Sequence, residues 1–163
     1  MRRSTLTSST KEKKMNPEQA YEYAKIHGPS KKTRFEASRD PFWACNYALV
    51  VDGKSKRTTR RSSLLGPFTA LRYARDVDEC PKRDTRKAAL KDPEAAYWYA
   101  VEVDKCPRRD TRKGACKDPE FAYLYLRDVD KLFHKDTYNA TLGTEYEELY
   151  EKFLNDKVKE RIV

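Results

Sequence analysis

Apolar and polar positions recur along this chain with a fixed step. Asp92-Pro93-Glu94-Ala95-Ala96-Tyr97-Trp98-Tyr99-Ala100 returns 26 residues later as Asp118-Pro119-Glu120-Phe121-Ala122-Tyr123-Leu124-Tyr125-Leu126. Gly66-Pro67 and Asp40-Pro41 lie one and two further steps of 26 upstream, and Asn16-Pro17-Glu18 opens a first copy of 24 residues. Within a copy the spacing is helical. Ala96, Tyr99, Ala100 and Val103 stand at i, i+3, i+4 and i+7, which is one face of an α-helix. The same slots hold Ala44, Tyr47, Ala48 and Val51, then Ala70, Tyr73, Ala74 and Val77, then Ala122, Tyr125, Leu126 and Val129. The first copy fills three of them with Ala20, Tyr23 and Ala24. The opening residues explain where each helix starts: Asp or Asn caps, Pro fits the first helical position, and Glu suits the positive end of the dipole. Gly66 weakens that cap in the third copy.

The second half of each copy is shorter and more polar. Cys80-Pro81-Lys82-Arg83-Asp84-Thr85-Arg86-Lys87-Ala88-Ala89-Leu90 matches Cys106-Pro107-Arg108-Arg109-Asp110-Thr111-Arg112-Lys113-Gly114-Ala115-Cys116. It predicts a second helix of about two turns, begun near the proline, after a first of about three. Neither helix can bury its face alone, whereas stacked neighbours share one continuous core. Alanine lets helices approach closely, and tyrosine fills the groove with its hydroxyl expected near water. The fold expected is all-α: a right-handed α-solenoid of five to six helix pairs. Units 16–39, 40–65, 66–91, 92–117 and 118–143 follow a flexible basic tail at 1–15. The segment 144–163 closes the array as a capping helix or degenerate sixth copy, with Tyr146, Leu149, Tyr150 and Phe153 at helical spacing.

The Asp-Pro-Glu-x-Ala-Tyr-x-Tyr-Ala helix resembles the short tandem repeat of uncharacterised bacteriophage and large-virus proteins. The likeness covers roughly residues 16–143 and is strongest at Asp92–Val103 and Asp118–Val129. The second halves depart from that repeat, with Asp84-Thr85-Arg86 and Asp110-Thr111-Arg112 where it has Glu-Ala-Glu, and its Trp is missing. The resemblance implies a repeat fold and a viral origin. It implies no particular activity.

Composition alone points the other way: 38% hydrophobic residues and a net charge of +9 would ordinarily read as disorder. The alanine–tyrosine pattern overrides it. Charge is unevenly spread. Residues 52–66 and 104–117 each carry a net +4, while 144–163 carry −2. A fixed period brings equivalent side chains into register, so Arg34, Arg60, Arg86 and Arg112 form one ladder, broken at Tyr138. Arg57, Arg83 and Arg109 form a second row. Such rows have two readings. They tie units together, with Asp84 or Asp110 against the next unit's arginine and Asp78 or Asp104 against nearby lysines. Or they recognise an anionic surface. On the second reading the partner is an acidic patch of a host or viral protein. A nucleic-acid-binding accessory protein stays open, although no recognised nucleic-acid-binding module is present, and so does a structural component of a virion or other assembly.

Other chemistry is sparse. There is no Gly-rich phosphate loop and no histidine spaced to serve a cysteine or serine, so enzymatic activity is not expected. His27 and His134 read as solvent-facing or capping residues. Cys45, Cys80, Cys106 and Cys116 contain no Cys-x-x-Cys pair, so no metal and no cofactor are expected, and the thiols read as reduced. Cys80 and Cys106, in equivalent slots before proline, read as small buried caps. No apolar run approaches the roughly 20 residues of a membrane span. With no export signal visible, the chain reads as cytoplasmic in a host cell or virion-associated. A small-molecule ligand is not expected.

Overall fold

The computed structural model describes residues 14–160, and within them every regular element is a helix. The expected basic tail therefore lies almost wholly outside the described residues. Its last residue, Met15, packs beside Ala20, Tyr21 and Ala24 in the first core cluster.

Helices alternate as the repeat predicts. The first helices are α1 (Pro17–His27), α3 (Pro41–Asn46), α5 (Pro67–Asp76), α7 (Pro93–Trp98) and α9 (Pro119–Tyr125). Wide π-turns prolong three of them, over Tyr47–Asp52, Tyr99–Asp104 and Leu126–Asp130. The second helices are α2 (Lys31–Ala37), α4 (Arg57–Ser63), α6 (Arg83–Ala89), α8 (Arg109–Ala115) and α10 (Lys135–Thr141). Helix α11 (Tyr146–Glu160) ends the array. Each first helix packs on its own second helix and on the first helix of the next unit, while α2 packs on α4 and α8 on α10. The result is an all-α repeat solenoid with a first-helix layer and a second-helix layer.

Sequence dictates the helix starts as anticipated. Side chains of Asn16, Asp40, Asp92 and Asp118 accept backbone N–H groups of the first turn, and proline follows each. Gly66 has no such group to offer. The second helices start later than the prolines suggest, at Arg83 and Arg109, two residues beyond Pro81 and Pro107. The helix ends share another device. The N–H of Lys105 reaches the carbonyl of Ala100 at 2.8 Å and that of Lys131 reaches Leu126 at 2.6 Å, five residues back in each case. The chain then leaves through a left-handed residue, Gly53, Glu79, Lys105 or Lys131, with φ between 52° and 59°. Three of those four carry a Cβ, at a cost of about 1–2 kcal/mol each.

The alanine–tyrosine face is the core. Ala44, Ala70, Ala96 and Ala122 are fully buried, as are Tyr47, Tyr73, Tyr99 and Tyr125. The tyrosine hydroxyls are not near water, contrary to expectation. Each reaches back into the preceding unit and bonds a fully or almost fully buried threonine of its second helix. The pairs are Tyr47–Thr33 (2.7 Å), Tyr73–Thr59 (3.2 Å), Tyr99–Thr85 (2.9 Å) and Tyr125–Thr111 (2.9 Å). The same oxygens accept the backbone N–H of Ser30, Lys56, Lys82 and Arg108, which open those second helices. Lys56, Lys82 and Arg108 make no side-chain cap of their own. A tyrosine from the next unit supplies the acceptor instead. In α11, Tyr150 repeats the arrangement on Thr137 and on the His134 N–H. Tyr23, in the same slot of α1, meets no such threonine among the described residues and is half exposed.

Two outcomes follow for the buried rings. Tyr99→Phe keeps the ring but strands Thr85 and the Lys82 N–H, costing about 1–3 kcal/mol in chemical denaturation, whereas Tyr99→Ala costs about 3–5 kcal/mol. A Tyr99→Phe protein as stable as the parent contradicts the cap. Alkali provides the second test. Burial raises the Tyr99, Tyr125 and Tyr150 phenols. Burial, then the bond to Asp128, pushes Tyr97 up to about 12. Unfolded phenols ionise near pH 10, so their contribution is complete below about pH 10 and is lost as pH rises through the higher folded values. Tyrosinate absorbance and helicity are expected to change together over that interval.

Candidate functional site

The two arginine rows anticipated from the period both exist, and they face different environments. Arg34, Arg60, Arg86 and Arg112 stand one turn after the first residues of α2, α4, α6 and α8. Their stems turn inward, over the buried rings of Tyr47, Tyr73, Tyr99 and Tyr125, with guanidinium carbons 5.7–5.8 Å from the ring centres. There each meets an aspartate that ends the next unit's first helix or, for Arg60, one two residues beyond the end of α5. Arg34 grips Asp52 through Nε (2.7 Å) and Nη2 (2.5 Å). Arg86 grips Asp104 (3.0 and 2.5 Å) and Arg112 grips Asp130 (2.8 and 2.5 Å) in the same two-pronged way. Arg60 holds Asp78 with Nη1 and Asp84 with Nε (2.9 Å) and Nη2 (2.6 Å). These aspartate side chains at the helix ends are 0–5% exposed, and the arginines 12–18%. At Tyr138, where the ladder breaks, a ring replaces the guanidinium and lies 5.3 Å from Tyr150.

The strut reading of this row therefore holds, with different partners from those expected. Asp78 and Asp104 pair with arginines of the preceding unit and not with lysines. Asp84 and Asp110 also face backwards, toward Arg60 and Arg86, not toward the next unit. Arg60 draws the Asp84 carboxyl below its ordinary range by hydrogen bonding.

Arg57, Arg83 and Arg109 stand one turn earlier on the same helices, at their solvent-facing start. All three are exposed and have no ion-pair or hydrogen-bond partner among the described residues. The same register runs further than sequence reading took it. Lys31 lies 26 residues before Arg57, and Lys135 lies 26 after Arg109, both exposed. One turn on, Arg61, Lys87 and Lys113 form a parallel exposed column. Extending the 26-residue step by one unit each way was the signal available for Lys31 and Lys135. The second helices α2, α4, α6, α8 and α10 carry net charges of +2, +3, +2, +2 and 0, by count of their residues. The first helices with their wide turns carry −1, −1, +1, −3 and −2. One layer is basic and the other mildly acidic.

Of the remaining candidates, His134 caps α10 by accepting the Asp136 N–H at Nδ1 (3.1 Å), and His27 stacks on Tyr23 in the open. Cys80 and Cys106 are not the buried caps expected: Cys80 is half-buried and Cys106 exposed, because the chain there is a loop ahead of the helix. The sheltered thiols are Cys45 and Cys116, pushed by burial up to about 11 and about 12. Among the described residues no group of His, Cys, Asp and Glu is placed to hold a metal ion, and no helix is long and apolar enough to cross a membrane.

The two rows separate cleanly by mutation. Arg112→Ala leaves the buried Asp130 carboxylate without its partner and is expected to cost about 3 kcal/mol. Arg83→Ala, on the exposed row, is expected to stay within about 0.5 kcal/mol of the parent. Thermal melts of the two proteins measure both; equal losses contradict the division.

Compared with known proteins, the chain matches no family model, no curated protein and no solved structure.

Proposed function

We propose that this protein is a non-enzymatic helical-repeat binding protein that engages an acidic surface of a host or viral protein through its second-helix face. The observation that carries this reading is the exposed row Lys31, Arg57, Arg83, Arg109 and Lys135, spaced by the repeat and left without acidic partners. The sequence resemblance to phage and large-virus repeats supports a viral origin, with the host cytoplasm or the virion as its place of action. Arg34, Arg60, Arg86 and Arg112 serve the array, and recognition falls to Arg57, Arg83, Arg109 and the flanking lysines.

A protein partner fits the charge pattern better than a nucleic acid. Asp84, Asp110 and Asp136 are exposed beside the basic row, so the face is mixed in sign, and the opposite layer is acidic. A polyanion gains from every phosphate it places on cations and is repelled by such interruptions. A protein surface can match them one by one.

Arg83→Glu combined with Arg109→Glu is expected to abolish capture of partners from host-cell extract while circular dichroism and melting match the parent. Capture by the parent is expected to survive nuclease treatment. Tight binding to arbitrary duplex DNA, falling with salt at a slope of about −0.9 per phosphate contacted, overturns the reading in favour of nucleic acid.

A further inference from the structure

The groove between α2 and α4 is unlike its counterparts further along the array. Its walls are second-helix residues of units one and two. In the 26-residue register, Ser38 corresponds to Leu64 and Leu90, and Ser62 corresponds to Ala88 and Gly114. Where Leu90 faces Gly114 the space is full: a Cβ on Gly114 would lie 3.0 Å from Leu90 Cδ2 and 2.7 Å from Ala96 Cβ. Between α2 and α4 a serine stands on each side instead. A cleft of about 470 Å³ opens there, lined also by Phe35, Arg39, Arg57, Thr58, Arg61 and Leu65. That volume lies within the range of small-molecule sites, about 300–1,000 Å³.

The lining has the features of a site and not of a packing fault. The hydroxyls of Ser38 and Ser62 are both buried without a hydrogen-bond partner, and Ser62 is only 6% exposed. Orphaned buried hydroxyls are uncommon and costly. Arg57 and Arg61, one turn apart on α4, have no acidic partner among the described residues, so two like charges stand together over the opening. On α2, the Glu36 carboxylate is taken up by Arg39 at 3.1 Å. Phe35 is 62% exposed and Leu65 72% exposed. An apolar ring therefore flanks a cluster of guanidinium and hydroxyl groups.

The geometry points to a binding site for a small phosphate monoester with an aromatic body, of the chemical class of a mononucleotide. The phosphate sits on Arg57 and Arg61, whose forks match its oxygens. The orphaned serine hydroxyls turn to its polar edge, and the ring lies on Phe35. An apolar ligand leaves the arginines and serines unmet. Inorganic phosphate leaves Phe35 and Leu65 in water. The cleft lies within the second-helix face and shares Arg57 with the proposed protein contact, while Arg83 and Arg109 lie outside it.

Calorimetric titration of the whole chain with adenosine monophosphate, adenosine and inorganic phosphate tests it. Adenosine monophosphate is expected to bind at least about tenfold more tightly than either fragment, since both halves of the site are filled. Ser38→Leu, which restores the residue found at this slot in the second and third units, is expected to abolish binding and to raise the melting temperature by filling the space. Arg61→Ala is expected to weaken binding by about tenfold with melting unchanged, as loss of a charged hydrogen bond does. Arg83→Ala, outside the cleft, is expected to bind as the parent does. No binding of adenosine monophosphate at millimolar concentration overturns the proposal. So does binding no tighter than phosphate alone, or full affinity in Ser38→Leu or Arg61→Ala. Failure here leaves the Arg83→Glu, Arg109→Glu result unaffected.

Discussion

The array depends on a buried phenol whose oxygen belongs chemically to the neighbouring unit. A second helix of seven residues is too short to be stable by itself, because forming its first turn fixes more backbone than it rewards. Three of these helices also lack a capping side chain. The hydroxyl of Tyr73, Tyr99 or Tyr125 supplies the missing acceptor and a threonine completes the shell, so a helix of one unit becomes stable when the next unit docks. Burial of the same ring contributes the apolar area that a chain short of leucine and isoleucine must find elsewhere. Folding of a helix and stacking of a unit are thus one event.

The guanidinium over that ring extends the dependence to charge. Arginine, aspartate and tyrosine of the strut come from two units and meet at one point, with Asp52, Asp104 and Asp130 delivered there by the wide turns that end their first helices. Such a pair adds register more than net stability, since burying both ions costs much of what their attraction returns. A one-residue slip of one unit against the next would leave a carboxylate buried alone. Three residues earlier on the same short helices, the identical side chain type faces solvent and is free for a partner. Position within a seven-residue helix decides which purpose an arginine serves.

Much of this was legible in the chain. The 26-residue step, the Asp-Pro starts, the alanine–tyrosine face and the alignment of both arginine rows follow from pattern. What escaped were facts that depend on which unit a side chain leans toward. Periodicity places Arg86 near Asp104 and Asp110 but does not say from which neighbour. It marks Tyr99 as a core residue without telling that its hydroxyl finds Thr85, itself an invisible member of a polar stretch. The cysteines before proline looked like small buried residues by type, yet loop position exposed them. The cleft beside Ser38 was missed for another reason. It arises from a departure from the repeat, and attention to what recurs passes over what does not.

The backward reach of each tyrosine gives the solenoid a polarity. Every unit offers a threonine socket to its successor and a phenol to its predecessor, so the two ends of the array are chemically different. At one end Tyr23 enters no socket among the described residues. At the other the socket of Thr137 is plugged by Tyr150 from a longer and differently built helix. Units duplicated or lost in the interior would meet the same contacts again, because the same tyrosine–threonine pair recurs at each junction. The terminal pieces are not interchangeable in that way. Length is the property most open to change in such a chain, and its closing helix the least.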